Sequence, residues 1–406
     1  MSAPDSLRIL HITPYYEPAW AYGGSTRVVV ELARRQAARG HAVTVATTDA
    51  LDESTRAPAG VHTLEGITLH RFRNLSNTLA WQRLFLPSGF AKGVAWLIRR
   101  VDVVHIHEVR SLLNAAALPH LLRACVPYVI TAHGGLPAEL GRTAYKRIYD
   151  ALYGRRLLEH ACRLHAMTTM ERDQYTALGL PPERIVQIPN GIDPSSVSVE
   201  ADARAFRQRH SIPDGAPVVG FLGRLNRIKG LDFLVNAFAG VLRLRPDAVL
   251  LIAGPDDGAR GELEAQIARL GIGAAVRFTG MISDDATKAA AYLASDVYVL
   301  PSRYENLPTT VLEALLLARP CIVTDRCGLA AELVEAGVGQ AVPFGDTGAL
   351  QAAILRVFDD PLAARARAEA GRRYVIQHFD WQTVVDRWLE VYRECVREAM
   401  IDPVER

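Results

Sequence analysis

Two carboxylates, Glu305 and Glu313, lie in PSRYENLPTTVLEALLL, residues 301–317, an otherwise largely apolar and hydroxyl-rich run. Burying an unpaired carboxylate is expensive, so a packed segment that carries two needs hydrogen-bonding partners for them. Pro308 disfavours a helical Leu307 and predicts a helix beginning near Pro308 or Thr309. Glu305 then falls on a loop, where it can reach sugar hydroxyls. Glu313 falls on the first turns of the helix, where its carboxylate can accept both hydroxyls of a ribose diol, and the helix N-terminus between the two favours phosphate.

Other residue types point the same way. In FLGRLNRIKGLDFLVNAF, Arg224 and Lys229 follow an apolar run and precede a helical pattern, with Gly223 before them and Gly230 after. A guanidinium and an ammonium converging on one point suit a diphosphate. A solvated basic loop is the plainer alternative, and the position after a strand favours the functional reading; Arg227 is a lesser participant. His133, in VITAHGGLP, follows a strand end and is expected at the rim of the site, bonding a sugar hydroxyl or stabilising developing charge. His105 and His107 alternate within DVVHIHE and read as structural, with His107 the nearer to the site. Gly23 and Gly24 open a helix with Ser25 or Thr26 as N-cap and Gly40 as its stop, so that backbone N–H groups can approach a phosphate or sugar oxygen; a plain turn is the competing reading. The backbone around Gly280 and Met281, just after a strand, could read a nucleobase edge. Asp284 and Asp285 read as a helix cap and PDDG at 255–258 as a turn, so no metal-ligand set is expected.

The elements that must hold these residues are legible as short β-branched runs alternating with long helical patterns, the mark of parallel sheets covered on both faces. In the first half strands are expected at 8–13, 42–47, 67–72, 102–107, 128–132, 164–169 and 184–189. In the second half they are expected at 217–223, 248–254, 276–280, 296–301, 321–325 and 339–344. The fold class is therefore α/β, with two Rossmann-like domains facing across a cleft. The domains are read as 1–194, a polar, proline-punctuated linker at 195–214, and 215–378, followed by a C-terminal helix at 379–406. Ligands of open α/β sheets bind beyond the carboxyl ends of the strands, where all of the loops above lie.

With 406 residues, two cores are the expectation. The 46 basic and 44 acidic residues leave a net charge of +2, which gives no general case for a nucleic-acid partner. Five cysteines without a C-x-x-C pair suit a reduced, cytoplasmic chain. MSAPDSLRIL lacks the apolar region of a signal peptide, and no run reaches the ~20 apolar residues of a membrane span.

Taken together, Glu305 and Glu313 as an E-x7-E pair, GRLNRIKG as Gly-Arg-x4-Lys-Gly, TAHGG, Gly23-Gly24, IPNGID at 188–193 and TDRCG give the chain its resemblance. It resembles the retaining glycosyltransferases of family 4, which have the GT-B fold. The resemblance implies a nucleotide diphosphate sugar as donor, with Glu313 on the ribose, Arg224 and Lys229 on the diphosphate and Glu305 on the donor-sugar hydroxyls. It also implies Gly24 near the donor phosphate or sugar, His133 near the reacting carbon, and no bound metal or other cofactor for the chemistry. The C-terminal helix would cross back to the N-terminal domain. One departure stands out: many members continue the first Glu with Gly-Phe-Gly, whereas Asn306, Leu307 and Pro308 follow Glu305 here, and Pro308 has no N–H to offer the donor.

A dinucleotide-dependent oxidoreductase would need a G-x-G-x-x-G fingerprint that the chain lacks. A sugar-nucleotide epimerase of the same fold and a non-catalytic sugar-nucleotide-binding protein remain as alternatives. For the acceptor, Tyr145, Ile148 and Leu152 recur at helical spacing beside Arg142, Lys146, Arg147, Arg155 and Arg156, and residues 80–100 add Trp81, Phe85, Phe90 and Trp96. That basic amphipathic pattern suits an anionic lipid surface, while a solvated helix face over a core is the bland alternative. The expectation is a glycan or lipid-linked acceptor in polysaccharide, glycan or glycolipid biosynthesis, met at the cytoplasmic face of the membrane.

Overall fold

The computed structural model describes residues 6–137, 143–197 and 201–401. The chain divides into two compact units, one made of the stretch up to Asn190 together with the segment from Trp381 onward, the other Gly191–Asp380.

The first unit is built on an eight-stranded sheet. Its strands are β1 (Arg8–Ile12), β2 (Ala42–Thr48), β3 (Gly60–Leu64), β4 (Ile67–Phe72), β5 (Val103–His107), β6 (Tyr128–Thr131), β7 (Arg163–Ala166) and β8 (Ile185–Gln187), in the order β3-β4-β2-β1-β5-β6-β7-β8. All neighbours are parallel except β3 and β4. Every residue of β5 is buried, as a strand covered on both faces requires. β3 was absent from the sequence reading because GVHTL is no apolar run. It forms an antiparallel edge hairpin with β4 through Glu65 and Gly66, both at positive φ, the geometry of a two-residue primed turn.

The second unit carries β9 (Val218–Leu222), β10 (Val249–Ala253), β11 (Val276–Gly280), β12 (Val297–Leu300), β13 (Cys321–Thr324) and β14 (Gln340–Val342), all parallel, in the order β11-β10-β9-β12-β13-β14. Each sheet therefore has a switch point where the chain turns from building one side to building the other: β1/β5 in the first unit and β9/β12 in the second. Open α/β sheets bind ligands outside the carboxyl ends of the strands at such points.

Two segments differ from a simple two-domain tandem. The stretch read as a linker holds the helix Ala203–Arg209, capped by Asp202, which places Phe206 in the core of the second unit. Arg207 ties it down by donating to the Ala294 carbonyl at 2.7 Å and to Asp296 at 3.1 Å. The C-terminal helix Trp381–Ile401 buries Trp381, Val384, Val385, Trp388, Leu389, Tyr392, Cys395 and Val396 on one face. These side chains pack with Leu7, Ile9, Leu32, Val103 and Val129 of the first unit, each fully buried aliphatic contributing about 1.5–3 kcal/mol relative to exposure. No helix among the described residues is long and apolar enough to cross a membrane.

Candidate active site

At the β9/β12 switch point the second unit brings together the loops that follow these strands. After β9, Arg224 reaches Asp257 at 2.8 Å, and Asn226 donates to the same carboxylate oxygen at 2.9 Å. The Arg224 side chain is still 67% exposed. Asn226 also caps a short 3₁₀ turn, Arg227–Lys229, its side-chain oxygen accepting the Lys229 N–H at 3.2 Å. Gly230 ends the turn at φ 66°, and a Cβ there would lie 2.1 Å from the Pro301 carbonyl oxygen, so only glycine lets the two loops come this close.

Lys229 is thereby delivered to Glu305, with which it forms an ion pair; the two side chains are 18% and 21% exposed. Glu305 does not hang on a free loop. Its N–H donates to the Arg326 carbonyl at 3.1 Å, its carbonyl accepts from Gly328 at 2.8 Å, and Ser302 reaches its carboxylate at 3.4 Å. TDRCG thus serves as the brace of the Glu305 loop. Arg227 pairs instead with Glu262 on the helix Arg260–Leu270.

The helix Thr309–Leu316 begins directly after Pro308, with no side chain capping its first amides. Val311, Leu312, Ala314, Leu315 and Leu316 are buried, and Glu313 emerges between them. Its carboxylate accepts from Lys288 Nζ at 3.0 Å and from the Tyr292 hydroxyl at 2.8 Å. Burial opposes the charge on Lys288, yet the Glu313 and Asp285 carboxylates outweigh it and hold the ammonium pKa above its ordinary value. Burial, reinforced by Glu313, pushes the Tyr292 phenol well up, which keeps it a donor. The two carboxylates that looked unpartnered in sequence thus have one lysine each. Lys288 and Tyr292 were missed; their signal was the i, i+4 spacing in DATKAAAYLASD, which gives two polar groups one helix face. Met281 follows β11 and is 72% exposed, Asn306 is buried, and Leu307 packs against the core of this unit.

In the first unit, the loops after β1, β5 and β6 gather a second group. Gly23, at φ 109°, is itself the N-cap of the helix Gly24–Ala38. Ser25 and Thr26, the expected caps, are otherwise engaged: Ser25 bonds the Tyr15 hydroxyl at 3.0 Å, and Thr26 lies buried inside the helix. The helix therefore starts without a side-chain cap and with both glycines exposed, and it ends at Ala38 ahead of Gly40, at φ 82°. Tyr15 also donates to Glu108, the residue that follows β5. Glu108 and His133 both hold positive φ, 68° and 51°, at the ends of adjacent strands. Non-glycine residues in that region mark sites where the surroundings over-determine the backbone.

His133 is half-buried and its Nε2 lies 3.1 Å from His107 Nδ1, while Glu171, fully buried, accepts from the Gly134 N–H at 2.9 Å and fixes the loop. Burial lowers the His133 pKa, with Glu108 opposing. Tyr15, Glu108 and Glu171 were not singled out from sequence; the acid directly after HIH was the available cue. His105 and His107 are buried in β5. On the surface, Ile148 and Leu152 are 60% and 63% exposed beside exposed Arg147, Arg155 and Arg156, Tyr145 is partly buried, and Lys146 bonds the Pro137 carbonyl. Arg142 lies outside the described residues. Trp81 and Trp96 are exposed, but Phe85 and Phe90 are core residues: Phe90 lies on the inward face of the helix Phe90–Ile98, and Phe85 packs against the rings of Tyr15 and Tyr22.

Comparison with known proteins agrees with this architecture. Residues 22–196 match the model "Glycosyltransferase Family 4" and residues 202–374 the model "Glycosyl transferases group 1". The chain is 30% identical to D-inositol 3-phosphate glycosyltransferase of Kineococcus radiotolerans over 97% of its own length and 95% of that protein. It is 30% identical to phosphatidyl-myo-inositol mannosyltransferase of Mycobacterium leprae over 76% of its length and 78% of that protein. Among solved structures, HepE of Anabaena in complex with UDP superposes with a TM-score of 0.74 at 21% identity, covering 95% of this chain and 99% of that one.

Proposed function

The chain belongs to the family 4-like glycosyltransferases of the GT-B fold, and from that premise we propose that it transfers a sugar from a nucleotide diphosphate donor to an acceptor hydroxyl with retention at the anomeric carbon. The observation that carries this reading is the Lys229–Glu305 contact at the β9/β12 switch point, where a cation for the diphosphate and a carboxylate for the sugar are delivered together.

The partners seen without donor leave capacity for it. An ammonium has three donors, so Lys229 can keep Glu305 and still bind phosphate oxygens; Arg224, largely exposed, adds a second cation. A carboxylate offers about four lone-pair sites. Glu313 uses one on each oxygen for Lys288 and Tyr292, which leaves one on each for the two hydroxyls of a ribose. The uncapped helix at Thr309 and the backbone of Asn306 and Leu307 serve the phosphate and sugar, and the backbone at Met281 the base; in the first unit the resemblance assigns Gly23, Gly24 and His133 to donor contacts.

In the reaction the bond from the anomeric carbon to the diphosphate oxygen breaks, and the acceptor oxygen bonds that carbon on the same face. The departing diphosphate takes the acceptor proton. Arg224, Lys229 and the helix N-terminus stabilise the charge that builds on the leaving group, the principal catalytic contribution, with no bound metal. The test starts from a thermal-shift panel of UDP-, GDP- and ADP-sugars to identify the donor. Titration of Glu313→Ala with that donor is then expected to show a loss of about 1.5–3 kcal/mol, the worth of hydrogen bonds to a charged group. This is a roughly 10- to 150-fold higher Kd; an unchanged Kd sinks the ribose assignment.

For the acceptor we propose a lipid-linked molecule at an anionic membrane surface. The exposed Ile148 and Leu152, flanked by Arg147, Arg155 and Arg156, form an apolar stripe with basic edges, and the name of one relative, phosphatidyl-myo-inositol mannosyltransferase, includes a lipid. Wild-type protein should co-sediment with anionic liposomes and Ile148→Ser/Leu152→Ser should not, with thermal stability unchanged. Equal binding to neutral and anionic liposomes counts against the surface.

A further inference from the structure

Five histidines of the first unit form one continuous hydrogen-bonded chain with Gln36, Tyr392 and Thr131. His133 Nε2 meets His107 Nδ1 at 3.1 Å, His107 Nε2 meets His11 Nδ1 at 2.9 Å, and His11 Nε2 meets the Gln36 side-chain oxygen at 2.8 Å. The Gln36 amide nitrogen reaches the Tyr392 hydroxyl at 3.4 Å, and that hydroxyl lies 2.6 Å from His105 Nδ1. His105 Nε2 lies 2.7 Å from the Thr131 hydroxyl, which lies 2.9 Å from His165 Nδ1, and His165 Nε2 ends the chain 2.6 Å from the Ile188 carbonyl. His11, His105 and His107 cluster closely enough to suggest a metal centre. All six of their ring nitrogens, however, already have partners in this chain, so the cluster is a hydrogen-bonded array and no open ligand set.

The array has a direction. The Ile188 carbonyl can only accept, so His165 carries its proton on Nε2, and its Nδ1 accepts from Thr131. Thr131 has one proton, so it accepts from His105 Nε2; His105 Nδ1 then accepts from Tyr392. Tyr392 has spent its proton and accepts from the Gln36 amide nitrogen, which leaves the Gln36 oxygen to accept from His11 Nε2. The Gln36 orientation in the structure, nitrogen toward Tyr392 and oxygen toward His11, is the one this direction demands. From there His11 Nδ1 accepts from His107 Nε2, and His107 Nδ1 accepts from His133 Nε2.

We propose that this chain is a positioning device: it fixes His133 in the Nε2–H tautomer and leaves His133 Nδ1, which has no partner among the described residues, as a lone pair for a donor-sugar hydroxyl. The functional half of the proposal rests on the reading of His133 as a sugar contact. It decides between the two roles open to that histidine: Nδ1 accepts from a hydroxyl and favours positive charge developing on the sugar, and cannot donate to a developing anion. The chain stays neutral because burial drives the histidine pKa values down, to about 4 for His11 and about 3 for His165 and well below normal for His105 and His107.

The test is NMR of the full chain with ring-¹⁵N-labelled histidine near pH 7.5. The expected spectrum gives all five residues a protonated Nε2 and an unprotonated Nδ1; a His133 proton on Nδ1 overturns the proposal, whatever the activity. In Gln36→Leu, His11 loses its acceptor, so the His133 signal should move toward the Nδ1–H form. The kcat should then fall about tenfold, the size of one hydrogen bond lost in the transition state. An unmoved His133 signal in a folded Gln36→Leu overturns the directional control, and if that variant does not fold the wild-type spectrum decides alone. Full transfer by His133→Ala would instead remove the sugar contact while the spectrum still judges the tautomer.

Discussion

Lys229→Ala is expected to lower kcat for sugar transfer by about 10²–10³-fold, the range seen when one preorganised donor to a developing anion is removed. The ammonium is 18% exposed and held by both the Gly230 turn and Glu305, so it needs no reorganisation as the diphosphate departs. Its removal does a second thing: Glu305 keeps a carboxylate with no cation opposite, next to where an anionic donor must bind. The donor Kd should therefore rise as well, and Lys229→Ala/Glu305→Gln should recover part of that affinity while remaining slow. The pair is partly solvated, so the loss of stability should be small, about 1 kcal/mol or less. Steady-state kinetics with donor titration checks each point, and a Lys229→Ala enzyme with kcat within threefold of wild type would falsify the leaving-group role.

Acidification should destabilise the first unit. A buried histidine whose folded pKa lies below its unfolded value of about 6.5 binds fewer protons in the native state, so stability is present at neutral pH and is lost as pH falls through the window between the two values. For His11 that window runs down to about 4 and for His165 to about 3. At pH 5 each then costs roughly 2 kcal/mol, at ~1.4 kcal/mol per unit. His105, His107 and His133 shift in the same direction. The combined loss is a large part of the roughly 5–15 kcal/mol by which domains are stable. All five tryptophans, Trp20, Trp81, Trp96, Trp381 and Trp388, belong to the first unit, and Trp388 lies 4.5 Å, ring to ring, from both His105 and His165. Urea unfolding followed by tryptophan fluorescence therefore reports that unit alone. Its midpoint should fall steadily from pH 7.5 to pH 5, with proton uptake on unfolding; a midpoint that does not move rules out the neutral buried array.

Most of what positions the site is local, and local signals survive in sequence. The β-branched runs gave thirteen of the strands to within a residue or three because burial on both faces forces an apolar stretch whatever its neighbours are. Pro308 set the start of the Thr309–Leu316 helix through its own ring and missing N–H. Gly230 marked the end of the loop after β9 for a reason confined to that turn, its own φ of 66°. The family resemblance added the order of these motifs along the chain.

What the sequence could not decide was which charge meets which. Lys288 lies 25 residues before Glu313, and Lys229 lies 76 before Glu305; their pairing exists only because separate helices and loops are packed side by side. The N-cap at Gly23 in place of Ser25 or Thr26 was settled by Tyr15, ten residues upstream, which claims the Ser25 hydroxyl. The histidine array is the extreme case, since Tyr392 closes it across 287 residues and the strand order β1-β5-β6-β7 sets its steps. Sequence by itself determined most of the elements, with β3 and the helix Ala203–Arg209 as exceptions, because burial and backbone preference act on neighbouring residues. The tertiary structure alone determined the partners of the charges and the direction of the protons, because a hydrogen bond depends on distances that only the packed sheet fixes.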